Sequence, residues 1–283
     1  MAESVAASRW ASRSLKGYFV LLALFLYAPL VILAIFSFNN SKTIGFPLSG
    51  FTTKWYGEFL SNGQLLRSLQ ASVIVATASS VIAVGIGICA SIALVRRRFR
   101  GKGVVSALAL SPLVIPYLVF GISLLILFKT VDKVLTDCCG FYIGLGLHTI
   151  VIGHVVIAIP YTILVIMPRL QRMSSSLEEA ARDLGASPFR SFSRVTFPLL
   201  MPAVVSALLI AFTLSFDEFA IAGFLAGDQA TWPVYLFSQL RVPVLLPQLI
   251  AVSVIILIVS LSLVVTTEAF RRRSERRLEA PPA

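Results

Sequence analysis

Six long stretches without a single charged side chain decide what this chain can become. They run from Gly17 to Ser41, Ser68 to Val95, Gly103 to Phe128, Cys138 to Pro168, Val195 to Phe216 and Val242 to Thr267. Each exceeds the roughly 20 residues that a helix needs to cross about 30 Å of hydrocarbon. Backbone amides and carbonyls find no water there, so each must be satisfied within the structure, which leaves helices or a closed barrel. Barrel strands are short and alternate in hydropathy, and these runs do neither. The expectation is an all-α polytopic membrane protein with about six transmembrane helices. Composition agrees: 57% of residues are hydrophobic and 13% charged, against roughly 25% charged in soluble domains. Lipid must therefore be the solvent for much of the surface.

The basic residues orient the spans, because lysine and arginine concentrate in cytoplasmic loops. Arg9, Arg13 and Lys16 precede the first span. Arg96, Arg97, Arg98, Arg100 and Lys102 fill the second connection, Arg169, Arg172, Arg182, Arg190 and Arg194 the fourth, and Arg271, Arg272, Arg273, Arg276 and Arg277 follow the sixth span. These are 18 of the 24 lysines and arginines, all on one side. Both termini and the loop between the fourth and fifth spans are therefore expected in the cytoplasm. The same spread explains the net charge of +11 without a nucleic-acid partner, since no basic patch carries interleaved aromatic residues. The first span follows a basic stretch but is longer than a signal-peptide core and lacks a small-x-small cleavage site, so it is expected to be retained.

The organisation follows: residues 1–16 as a cytoplasmic N-terminal tail, 17–270 as the transmembrane domain, and 271–283 as a cytoplasmic C-terminal tail. The outer segment from Asn39 to Arg67 places Trp55 and Tyr56 where aromatic residues suit a membrane interface. Pro112, Pro116 and Pro160 interrupt the third and fourth spans. Such breaks fit helices that line a pathway, and equally helices kinked for packing. Cys89, Cys138 and Cys139 form no spaced framework. His148 and His154 lie six residues apart with no acid or cysteine in register, which suits packing better than a metal. No grouping of serine, histidine and acid suggests a hydrolase.

The loop over about 169–198 departs from the apolar surroundings. Ser175 with Glu178, or Ser176 with Glu179, has capping-box spacing. Leu177, Ala180, Ala181 and Leu184 recur at i, i+3, i+4 and i+7 and so share one helical face. Glu178 and Arg182 are spaced for a weak local pair. Gly185 is placed to end the helix in a left-handed turn, and Ser187-Pro188 to start another. Two short helices at a fixed angle make either a docking element for a cytoplasmic partner or a linker lying on the membrane surface.

The run Glu179-Ala180-Ala181, three residues, Gly185, nine residues, Val195-Thr196-Phe197-Pro198 resembles the signature loop of permease subunits in binding-protein-dependent ABC importers. Val195 and Phe197 replace the usual isoleucine and leucine, both still apolar. A second run, Phe212-Thr213-Leu214-Ser215-Phe216-Asp217-Glu218, resembles one found in spermidine/putrescine permeases. The resemblance implies the type I importer permease architecture in a bacterial inner membrane. It implies a pore built with a second permease subunit, two ATP-binding subunits and a periplasmic solute-binding protein. It assigns ATPase coupling to Glu178, Glu179, Ala180, Ala181, Leu184 and Gly185. The chain itself is then no enzyme and binds no cofactor. ATP and magnesium belong to the partner ATPase, in keeping with Gly101-Lys102-Gly103, which lacks the spacing of a phosphate-cradling loop.

Asp217 and Glu218 end the fifth apolar run. If that span starts near Pro198, they lie about 28 Å along it. Carboxylates at such depth usually face a cavity or a partner, so they are candidates for the pathway of a cationic substrate. The other possibilities are a helix-end pair in the headgroup region or a bond to a neighbouring subunit. The expected function is translocation of a polyamine-like solute. The alternatives are another small solute, such as an amino-acid-like or phosphonate compound, or an ion-coupled secondary transporter, which requires inverted repeats and mid-membrane charges.

Overall fold

Helices form wherever the sequence is apolar over a membrane's thickness. The computed structural model describes residues 2–42 and 45–279, with side chains over 14–42 and 45–266. The side chains of Arg9, Arg13 and Arg271 to Arg277, and residues 280–283, lie outside the described residues. Among the described residues the one β-type pairing is an antiparallel bridge between Asn39 and Phe51. Five helices are long and apolar enough to cross a membrane: Ser14–Phe36, Gly63–Arg96, Leu147–Arg172, Pro188–Phe216 and Pro243–Thr266. A sixth crossing results if the bent pair Lys102–Leu113 and Tyr117–Cys139 counts as one.

The chain divides into two compact units. The first comprises residues 1–62 and 239–258. Its helix α1 (Ala2–Phe36) leaves large apolar residues such as Phe19, Leu24, Phe25 and Leu26 exposed, as a lipid- or partner-facing helix must. The segment after it is pinned. Trp55, in α2 (Trp55–Glu58), is buried and donates its indole N–H to the Asn39 carbonyl at 2.7 Å. The Tyr56 hydroxyl meets Ser37 Oγ at 2.6 Å. Trp55 is thus packed within this unit, with its polar atom bonded to backbone.

The second unit comprises residues 63–238 and 259–283. Three of its helices form the frame: α3 (Gly63–Arg96), α6 (Leu147–Arg172) and α9 (Phe197–Phe216). Val84, Ile166, Leu170, Leu200 and Val204 are buried together between them. Lipid is as apolar as these side chains, so such packing is held by close contact and by hydrogen bonds between helices. Thr162 Oγ1 donates to the Ala83 carbonyl at 3.2 Å, and the Trp232 amide, at the start of α11 (Trp232–Gln239), donates to Ser72 Oγ at 2.8 Å. The last helix, α12 (Leu246–Glu279), contributes its later residues to this unit.

The third run is interrupted at its prolines, and sharply. Helices α4 (Lys102–Leu110) and α5 (Tyr117–Cys139) meet at 105°. Pro112 and Pro116 lack amide protons, and Pro116 takes an extended ψ of 128°, so the α-helical ladder stops between them. Helix α6, in contrast, runs through both Pro160 and Pro168. Helix α5 also continues past its apolar run to Cys139, and the fourth crossing begins only at Leu147. The connection folds back on α5, where Asp132 Oδ1 accepts from the amides of Ile143 and Gly144 at 3.0 and 3.3 Å.

Candidate functional site

The two places singled out by sequence lie at opposite ends of α9. At its C-terminal end, Asp217 and Glu218 separate sharply. Asp217 is exposed, whereas Glu218 is buried. The Glu218 carboxylate accepts from the amides of Ile221 and Ala222, each at 3.0 Å. These are among the first amides of the short helix α10 (Ala220–Leu225), which have no partner inside their own helix. His154 Nε2, in α6, lies 3.1 Å from Glu218 Oε2. An ionised carboxylate only accepts, so Nε2 carries the proton. His154 Nδ1 meets Ser215 Oγ at 2.7 Å, and Ser79 Oγ, in α3, donates to that same oxygen at 2.8 Å. One continuous chain of polar groups therefore joins α3, α6, α9 and α10.

Close packing fixes this arrangement. A methyl group at Gly153, next to His154, would sit 2.7 Å from Ile221 Cγ2. Glycine is what lets α6 approach α10 and bring His154 to Glu218. No acid lies in helical register with this histidine in the sequence. Its partner lies 64 positions away, and the available clue was depth alone: a titratable side chain inside an apolar run rarely stands unpaired.

Asp217 borders a cavity of about 1120 Å³. Its wall also includes Tyr117, Tyr161 and Phe219 near the acid, and Arg169 and Arg172 from the other end of α6. The two tyrosine hydroxyls meet at 3.1 Å. Arg169 donates from Nε and Nη2 to the Leu199 carbonyl, both at 3.3 Å. Leu199 stands 18 residues before Asp217, or about 27 Å along α9. The cavity is thus acidic and aromatic at one end and basic at the other. A small organic cation fits the first end, through a carboxylate and aromatic faces.

At the opposite end of α9 the loop folds as its punctuation predicts, with two differences. Helix α7 (Ser176–Asp183) stops at Gly185, whose φ of +83° is a left-handed turn with open space around its α-carbon. The Ala186 amide donates to the Ala181 carbonyl at 3.0 Å, closing the turn. Ser187 then caps α8 (Pro188–Ser191) by accepting from the Arg190 amide, with Pro188 in the first turn. A π-helical stretch, Phe192–Thr196, leads into α9.

The first difference is the cap of α7. Ser174 Oγ, not a serine of a capping box, accepts from the Ser176 amide at 3.2 Å. The second is the partner of Glu178. Arg96, at the end of α3, reaches its Oε1 from both Nε and Nη2 at 3.2 Å, in place of the local pair with Arg182. Thr196 Oγ1 donates to the same oxygen at 3.1 Å. Glu178 and Ala181 are thus turned partly inward, while Glu179, Ala180, Leu184 and Gly185 are exposed. Leu184 is 89% and Phe189 76% exposed, leaving an apolar patch on an otherwise polar loop.

Apolar helices of membrane length, one of them broken, with a cavity along α9, are the frame of a polytopic membrane protein, and family comparison gives its class. The chain belongs to the family of binding-protein-dependent transport system inner membrane components, matching it over residues 83–280. It is a permease subunit of an ABC importer and a multi-pass inner-membrane protein. Among curated relatives, it is 39% identical to the putrescine transport system permease protein PotI of Escherichia coli (strain K12), over 82% of each chain. It is 34% identical to the spermidine/putrescine transport system permease protein PotC of the same strain, over 90% of this chain and 93% of the relative. The fold matches a chain of a bacterial ABC transporter involved in import of the acidic polysaccharide alginate. There the TM-score is 0.74 at 14% identity, covering 93% of this chain and 96% of that one. A second alginate transporter structure, in complex with a pentasaccharide-bound periplasmic protein, matches with a TM-score of 0.70 at 16% identity, covering 96% of both chains.

Proposed function

We propose that this chain forms half of the pore of an importer for small organic polycations of the putrescine and spermidine class. The observation that carries this reading is Asp217, an exposed carboxylate in a cavity shared with Tyr117, Tyr161 and Phe219. The names of the two relatives support the same class. Asp217 is the pathway carboxylate. Glu218 borders the cavity too, but its oxygens are committed to two amides and a histidine, so it holds the segment that presents Asp217.

The rest of the machine lies in other chains. A second permease subunit completes the pore, a periplasmic solute-binding protein delivers the cargo, and two ATP-binding subunits hold ATP and magnesium. The basic loops support a cytoplasmic position for both termini and α7. Coupling runs through the loop at about 169–198. Ala180, Leu184 and Gly185, with Phe189, form the surface that enters the ATPase, Glu179 flanks it, and Glu178 and Ala181 support it from within. The 17–270 segment acts as the transmembrane domain between the two terminal tails.

Uptake of labelled putrescine into proteoliposomes holding the complete transporter tests the reading. Competition by spermidine, and loss of uptake in Asp217→Asn, are the expected results. Retention of amino-acid-like or phosphonate solutes by the companion binding protein, with no retention of polyamines, sinks the substrate class. Uptake by the purified chain alone sinks the need for a separate motor.

A further inference from the structure

Adjacent side chains on a helix point about 100° apart, so Glu178 and Glu179 cannot do the same work. Glu179 faces outward with the apolar patch. Glu178 faces Arg96, and what meets there is more than one ion pair. The Arg96 guanidinium also donates from Nη2 to the Met173 carbonyl, where α6 ends, at 3.2 Å. Thr196, the last residue before α9, donates to the Glu178 carboxylate. Ser191, the last residue of α8, donates to the Glu178 carbonyl at 3.4 Å. The ends of α3, α6 and α8 and the start of α9 thus converge on one residue of α7.

We propose that Arg96 and Glu178 form the strut through which α7 moves the membrane helices, a pair of positioning residues outside the docking surface. This rests on the reading of α7 as the ATPase-docking element. Without the strut, α7 would be joined to α9 mainly through Gly185 and the π-helical stretch, both of which yield easily. With it, a shift of α7 is delivered at once to α3 and to α9. Helix α9 carries Ser215 and then Asp217 at its far end, and α3 carries Ser79, which bonds Ser215. Both helices that receive the shift therefore reach the substrate end of the cavity.

The strut predicts uncoupling, not loss of either partial activity. In the complete transporter reconstituted in proteoliposomes, Glu178→Gln and Arg96→Gln each lower the number of solute molecules moved per ATP hydrolysed by about fivefold. In Arg96→Gln and Thr196→Val, which lie outside the docking loop's surface, co-purification with the ATPase and the hydrolysis rate stay near those of the unaltered transporter. Arg96→Lys, which keeps a charged donor for both the Glu178 carboxylate and the Met173 carbonyl, recovers most of the ratio. Thr196→Val, which removes one hydrogen bond with little change of shape, lowers the same ratio by about twofold. An unchanged ratio in both single variants overturns the strut, as does an unchanged ratio in Thr196→Val. An Arg96→Lys variant that assembles yet transports no better than Arg96→Gln also overturns it. Failure of the unaltered permease to hold an ATPase at all sinks the docking reading instead, so the two failures are told apart.

Discussion

Two acid–base contacts sit near opposite ends of α9, and water reaches them very differently. The side chains of His154 and Glu218 are 0% and 3% exposed, those of Arg96 and Glu178 18% and 17%. The first contact has its remaining polar atoms satisfied by Ser215 and by two backbone amides. Removing one partner there strands a buried polar or charged group, which costs about 3–5 kcal/mol. The second contact trades its bonds for water when it opens, and pairs of this kind contribute about 0–1 kcal/mol. The difference teaches which end of the helix is fixed and which is able to move. The buried end holds a constant shape around Asp217, and the wetter end, tied by weaker bonds, is the one able to shift as a unit with α7.

The sharpest way to break this contrast is His154→Ala. It is expected to destabilise the protein by about 3–5 kcal/mol, seen as a large fall in the thermal midpoint of the purified transporter. A midpoint within a degree of the unaltered protein would show the buried network to be dispensable. Next in size is Leu184→Asp, which places a charge in the exposed apolar patch. A central contact is worth about 2 kcal/mol or more, so ATPase retention on a pull-down should fall by about thirtyfold. Full retention would move the docking surface elsewhere. Asp217→Asn should lower putrescine uptake about tenfold, or about 1.4 kcal/mol, while the thermal midpoint stays in place. Glu218→Gln should do the reverse, lowering the midpoint first. If the two behave alike, the division between pathway acid and holding acid is wrong. Smallest is Gly185→Ala, where a side chain in a left-handed turn costs about 1 kcal/mol. It should appear as faster amide exchange over residues 181–187 with the rest of the chain unchanged.

Five of the spans and the plan of the loop were legible because they are written locally. A charge-free run of membrane length needs no distant residue to become a helix, and Ser187-Pro188 and Gly185 punctuate the chain wherever it goes. The relation between Asp217 and Glu218 was not legible, since both are acids at the same depth and only packing against α6 separates them. Glu178 misled in a similar way: Arg182 is near in sequence, but Arg96, 82 positions earlier, is near in space and also satisfies the end of α6. The elbow between α4 and α5 was only half legible. The prolines marked a break, but whether a helix runs on through proline, as α6 does at Pro160, or turns by 105° depends on what neighbours accept.

Helix α9 also keeps a phase. Each residue advances the helix by about 100°, so the direction in which α9 hands the chain on to Asp217 and Glu218, just past its end, is set by counting from the proline-bearing first turn at Pro198. Deleting one residue between Leu208 and Ala211 leaves the composition of the wall almost untouched. It nevertheless swings Glu218 into the angular slot of Asp217 and offers Phe219 to His154. The imidazole then faces a benzene ring, α10 loses its anchoring carboxylate, and a transporter with nearly every side chain intact has its charge aimed in the wrong direction.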